Sequence, residues 1–88
     1  MNSMYVVTFN STHYAITTEK LLKEEKLEIM TIPSPREITV SCGLSIRFLE
    51  KDLEKIKELI TENGIDIFGI FKIEKEENQS TRIATKVF

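Results

Sequence analysis

Hydrophobic positions along the chain switch between the two-residue period of a strand and the 3.6-residue period of a helix, and each switch marks a new element. Met4-Tyr5-Val6-Val7-Thr8-Phe9 is rich in β-branched and aromatic residues and reads as a strand. Asn10-Ser11-Thr12 behind it offers side chains suited to capping, so a helix is expected from about Thr12. Tyr14, Ala15, Thr18, Leu21 and Leu22 form one stripe that runs to about Glu25. Leu27 to Ile32 is a second strand, ended by Pro33-Ser34-Pro35, where proline removes ladder donors. From Val40 the apolar positions Val40, Cys42, Leu44, Ile46 and Phe48 alternate with Thr39, Ser41, Gly43, Ser45 and Arg47, which predicts a half-buried third strand and assigns Ser45 to its exposed side.

Leu49, Leu53, Ile56 and Ile60 then follow helical spacing over about Glu50 to Asn63, with Asn63-Gly64 as the stop. Asp52 with Lys55, and Glu54 with Lys57, are placed for ion pairs on its outer surface. Ile65 to Ile73 is a fourth strand, and the run from Glu74 to Ser80 is too polar to join a core. Residues 1–73 are thus expected to form the domain and 74–88 a polar C-terminal tail, with Arg82 to Phe88 able to return as a short edge strand. The order βαββαβ fits an α+β fold, a ferredoxin-like two-layer sandwich with a four-stranded antiparallel sheet in the spatial order 4-1-3-2 and two helices on one face. Phe68 and Ile70 suggest that the open sheet face is apolar, which would call for a second copy of the chain or for the tail as cover.

Composition narrows the chemistry. With 88 residues there is room for one modest core. A formal charge of −2, with lysines interleaved among glutamates, gives no basic field for a phosphate backbone, so no nucleic-acid partner is expected. No apolar run approaches the length of a membrane helix, and Met1 to Thr8 lacks an export signal, so no membrane partner and a cytoplasmic location are expected. One cysteine and one histidine cannot hold a structural zinc or form an internal disulfide, and no cofactor is called for.

Candidate chemistry therefore centres on Cys42. A third strand antiparallel to the first would bring its beginning beside the start of the first helix, near Ser11, Thr12 and His13. Amides and the positive dipole end there stabilise an anion and can lower a thiol pKa. Arg36, on the proline loop, would reach the same end of the sheet, and Gly43 would permit close backbone approach. Against this stands the ordinary fate of a lone cysteine on a buried parity, which is to pack as a small core residue.

Three segments resemble a known family. Phe9-Asn10-Ser11-Thr12-His13 followed by Ala15 and Glu19, Ile32-Pro33-Ser34-Pro35-Arg36-Glu37-Ile38, and Ser41-Cys42-Gly43-Leu44-Ser45-Ile46-Arg47-Phe48 are similar, in order and spacing, to the putative Se/S carrier protein-like family of small bacterial domains. Ser45 stands where that resemblance leads one to expect alanine. The resemblance covers about residues 4–73 and implies that Cys42 carries sulfur or selenium as a transient persulfide or selenosulfide. His13, Arg36, Ser11, Thr12 and Gly43 would support it, and a sulfur-relay carrier protein or a cysteine desulfurase would be the partner. Such a protein is a carrier more than a true catalyst. The other reading compatible with the residues is a regulatory or protein-interaction module in which Cys42 is structural, since one fold hosts many functions.

Overall fold

A computed structural model of the protein describes residues 3–35, 38, 43–75 and 82–88. In chain order the elements are β1 (Ser3–Phe9), α1 (Thr12–Glu24), β2 (Ile29–Pro33), β3 (Leu44–Phe48), a 3-10 turn (Glu50–Asp52) leading into α2 (Leu53–Glu62), β4 (Ile67–Lys75) and β5 (Arg82–Lys86). The strands form one open antiparallel sheet in the order β2-β3-β1-β4-β5, so the fold is α+β.

The sheet has five strands where four are expected from the sequence, because Arg82–Lys86 pairs along β4 from Phe71 to Lys75. Beyond β5, Val87 donates to the Ile70 carbonyl at 2.8 Å and Ile70 donates to that of Phe88 at 3.2 Å. Val87 packs into the core and the Phe88 ring lies 5.3 Å from the Lys57 ammonium of α2.

Both helices cover the same side of the sheet. Tyr5, Val7 and Phe9 of β1, Ile46 and Phe48 of β3 and Ile70 of β4 meet Ala15 and Leu22 of α1 and Ile56, Leu59 and Ile60 of α2. Burying each of the larger side chains contributes roughly 1.5–3 kcal/mol. The α1 stripe buries Ala15, Thr18 and Leu22, as its spacing predicts, and α2 buries Ile56, Leu59 and Ile60. Lys57 pairs with Glu54 at 3.4 Å as expected, whereas Lys55 reaches Glu25 beyond α1 at 3.7 Å.

The other sheet face departs from the sequence reading. It is covered in part: Ile38, from the loop between β2 and β3, is buried against Val6, Phe71 and Ile73, with Met4, Ile32 and Ala84 packed around them. Ile70 belongs to the helix side instead. A register shift between Thr8 and Phe9 sets Thr8 opposite Gly69 and Phe9 opposite Ile67, leaving Phe68 as the extra residue of a bulge. That bulge breaks the alternation, so Ile67 and Ile70 both pack on the helix side while Phe68 is left exposed beside Phe71, their rings stacked at 6.0 Å. Ser45 is likewise not exposed. It shares the face that Ile38 covers and is fully buried, because a strand inside a sheet loses solvent on both faces when both are covered.

Candidate functional site

Antiparallel pairing builds one end of the sheet into a cluster of chain turns. Thr8 of β1 lies opposite Ser45 of β3, and Pro33 of β2 lies opposite Leu44. The end of β1, the end of β2 and the beginning of β3 therefore meet, and α1 starts three residues after β1 stops. Gly43 and the first turn of α1 share this end, as the antiparallel topology predicts. Cys42 and Arg36 lie outside the described residues, as do Val40 and Ser41.

Ser11 occupies the N-cap position of α1 with extended backbone (φ −148°), and its carbonyl accepts from Ala15 at 3.3 Å. The expected side-chain cap is absent: the Ser11 hydroxyl makes no capping bond, and the Asn10 amide instead donates to the Asp66 carboxylate at 3.0 Å and to the Ile67 carbonyl at 3.2 Å. Asn10 thus ties the β1–α1 turn to the α2–β4 turn. The first turn of α1 contains no acidic side chain of its own.

Thr12 and His13 are both exposed on that turn. The His13 ring stands edge-on to Tyr14 at 5.6 Å and lines a shallow groove with Thr17, Lys20, Asn63 and Ile65. His13 therefore faces the α2–β4 turn, on the flank of α1 toward β4. Gly43 is exposed, its φ lies outside the left-handed region, and a Cβ there would meet none of the described atoms within 4 Å. Close packing against those atoms does not require glycine at this position.

Three hydroxyl groups at this end were not legible as a set. The Thr8 hydroxyl donates to the Gly69 carbonyl at 3.1 Å, and the Ser34 and Ser45 hydroxyls share a hydrogen bond at 2.8 Å. Ser34 N–H also donates to the Gly43 carbonyl at 2.9 Å, extending the β2–β3 ladder by one bond beyond Pro33 and Leu44. The only signal for these contacts was that Ser34 is the one residue of Pro33-Ser34-Pro35 with a backbone N–H to give.

Among the described residues no group of three or more His, Cys, Asp or Glu side chains is placed to hold a metal ion. No helix among them is long and apolar enough to cross a membrane. Glu19, quoted above with the first-turn segment, faces β2. It accepts a hydrogen bond from the Thr31 hydroxyl and pairs with Lys23 at 3.6 Å, and these two contacts, the Thr31 bond foremost, hold its carboxyl below the ordinary value.

The model of a family described as putative Se/S carrier protein-like matches residues 4–72, the span from β1 through most of β4. No curated protein and no solved structure matches the chain.

Proposed function

Because the chain belongs to the putative Se/S carrier protein-like family, we propose that it carries a sulfur or selenium atom on the thiol of its single cysteine, Cys42. The family match over residues 4–72 is the observation that carries this reading. Three features near the position support it. Gly43, the next residue, sits at the end of the sheet where α1 begins; that helix has no carboxylate in its first turn; and the Ser11 hydroxyl makes no capping bond. An anion placed there is stabilised by the helix dipole, and a thiol is shifted toward thiolate.

Loading follows thiol–disulfide exchange chemistry. The Cys42 thiolate attacks the outer sulfur of a donor persulfide, forming the new S–S bond of a Cys42 persulfide as the donor S–S bond breaks and the donor leaves as thiolate. An acceptor thiolate then attacks the outer sulfur of Cys42 persulfide and releases Cys42 as thiolate. No external oxidant or reductant enters, since the transferred sulfur keeps its oxidation state. A selenosulfide follows the same sequence with selenium as the outer atom. Arg36 would pair with the thiolate or an anionic donor, and Ser11 and Thr12 would supply the start of α1, whereas His13 stands on the flank of that helix toward the α2–β4 turn. The donor would be a cysteine desulfurase or a sulfur-relay carrier protein. The same reading takes β2-β3-β1-β4 with α1 and α2 as a ferredoxin-like unit and β5 as an addition to it; a solved structure with a different strand order would overturn that part.

The test is loading followed by intact mass. Incubated with a persulfide donor, the protein should gain the mass of one sulfur atom, and Cys42→Ser should gain none. A wild-type chain that stays unloaded, with a thiol that reacts only on unfolding, would instead favour the interaction-module reading in which Cys42 packs.

A further inference from the structure

The two strands that end the sheet are built differently. β5 reads Arg-Ile-Ala-Thr-Lys, with a basic residue at each end, whereas β2 reads Ile-Met-Thr-Ile-Pro and carries no charge. Charged residues on an edge, lysine above all, discourage a further strand, and proline does so by withholding a donor. The only such guard in β2 is its last residue, Pro33.

The ladder with β3 shows which backbone groups of β2 point outward. Ser34 N–H donates to the carbonyl of Gly43, in continuation of the register that sets Pro33 against Leu44. Hydrogen-bonded and non-bonded pairs alternate along an antiparallel ladder. Ile32 and Met30 therefore bond inward to Ser45 and Arg47, while Ile29, Thr31 and Pro33 turn their peptide groups away from β3. Among the described residues no strand lies beyond β2, and its outer side presents the N–H and carbonyl groups of Ile29 and Thr31.

Apolar side chains bracket this edge on both faces of the sheet. Met30, on the same side of β2 as Ile32, and Ile16 of α1 are the most exposed large apolar residues described, at 59% and 58%. Ile16 lies one turn ahead of Glu19, which bonds to Thr31, so it stands on the flank of α1 toward β2.

We propose that β2 pairs antiparallel with β2 of a second copy of the chain, about a two-fold axis beside Met30. In that register Ile29 and the partner's Thr31 exchange backbone bonds, and Thr31 does the same with the partner's Ile29, so every outward N–H of β2 is used. Pro33 falls opposite the partner's Leu27, whose N–H is already given to the Leu22 carbonyl at 3.1 Å. Met30 meets the partner's Met30, and no charge of β2 lies at the axis.

Charge also matches across the axis. Glu28 shares a shallow hollow with Met30 and Arg47. Strands about 4.8 Å apart, rising about 3.4 Å per residue, set Glu28 about 12 Å from the partner's Arg47 and about 14 Å from the partner's Glu28, Cα to Cα. Opposite charges are thus nearer than like ones. A second copy fits better than an unrelated strand, because pairing β2 with itself matches donors, charges and apolar side chains together. The resulting continuous sheet has the basic β5 at both of its outer edges. None of this depends on the role of Cys42.

The experiment is sedimentation equilibrium of the full-length chain in reducing buffer, from about 1 μM to about 1 mM, the range of a short and weak interface. Wild type, Met30→Lys, Met30→Glu and an equimolar mixture of the two variants are compared, with circular dichroism to check folding. Wild type should pass from one chain mass to two across that range. Each variant alone should stay at one, since like charges set directly opposite each other are destabilising, and the mixture should return to two as lysine then faces glutamate. A wild type that stays at one chain mass throughout overturns the proposal. So does a dimer that survives in either variant alone, which puts the contact elsewhere. A mixture that stays at one mass overturns the axis at Met30. Should one variant fail to fold, survival or loss of the dimer in the other decides.

Discussion

Thr18 illustrates what a single residue costs when its side chain is shared between two environments. Its methyl completes the buried stripe of α1, but its hydroxyl is buried with no hydrogen-bond partner among the described residues. An orphaned hydroxyl carries its desolvation penalty in full, and valine has the same shape and nearly the same helix propensity. Thr18→Val should therefore raise stability by about 1 kcal/mol in urea unfolding, and a loss would mean that the hydroxyl has a partner after all. The sequence assigned Thr18 to the stripe correctly, because helical spacing depends only on the backbone repeat. It assigned Ser45 to solvent, because alternation tells which residues share a face and not whether a loop such as that carrying Ile38 will cover it.

The two helices end by the same device with different residues. At α2, Asn63 caps, Gly64 has φ +60°, and Ile65 donates to the Ile60 carbonyl at 3.1 Å; at α1, Glu25 caps, Lys26 has φ +61°, and Leu27 donates to the Leu22 carbonyl at 3.1 Å. Both are Schellman turns, and only the second helix places glycine at the left-handed position. Asn63-Gly64 was readable as a stop for that reason, whereas Lys26 gives no such sign and bears the steric cost of a Cβ in this conformation. Lys26→Gly should stabilise the protein by about 0.5–1 kcal/mol in thermal or urea unfolding; no change or a loss would show that Lys26 makes contacts worth the strain. Glu19 links α1 to β2 through Thr31, and its lowered pKa sets a sign for pH dependence. A carboxyl held lower in the folded than in the unfolded chain stabilises the fold above the unfolded value, and that contribution is lost as pH falls through the folded value. Glu19→Gln should be less stable than wild type near pH ~7, and the gap should close below pH ~3, measured by urea unfolding at both. A gap of equal size at both pH values would remove the carboxylate as its cause.

At the scale of the whole molecule the open question in the sequence was whether 74–88 belongs to the domain. Polar composition from Glu74 onward separates it, yet β5 runs along β4, Val87 enters the helix-side core and Phe88 rests on Lys57. We propose that the cooperative unit extends to Phe88. A chain ending at Lys75 should lose about 2 kcal/mol or more, since it forfeits the β4–β5 ladder and the burial of Val87, and it should self-associate through the bared edge of β4. Sedimentation and urea unfolding check both effects, and a truncated monomer of unchanged stability would restore the boundary at residue 73.

The sequence by itself determined the order and kind of β1 to β4 and of both helices, the buried stripe of α1, and Ile56 and Ile60 on the buried side of α2, because period is a property of neighbouring residues; Leu59, also buried, was not read from it, and Leu49, assigned to the stripe, is exposed ahead of α2. It also determined that β3 must begin beside the start of α1, since that follows from antiparallel pairing with β1, and so where the chain next to Cys42 would lie. Only the tertiary structure decided the rest. The bulge at Phe68 depends on the register of β4 against β1, the fifth strand on an edge left free by β4, and the burial of Ile38 and Ser45 on a loop folding back over the sheet. The Ser34–Ser45 bond belongs to the same class, since it joins residues eleven apart in the chain that meet only once β2 and β3 are paired. Each is a contact between segments distant in sequence, and local periodicity carries no information about such contacts.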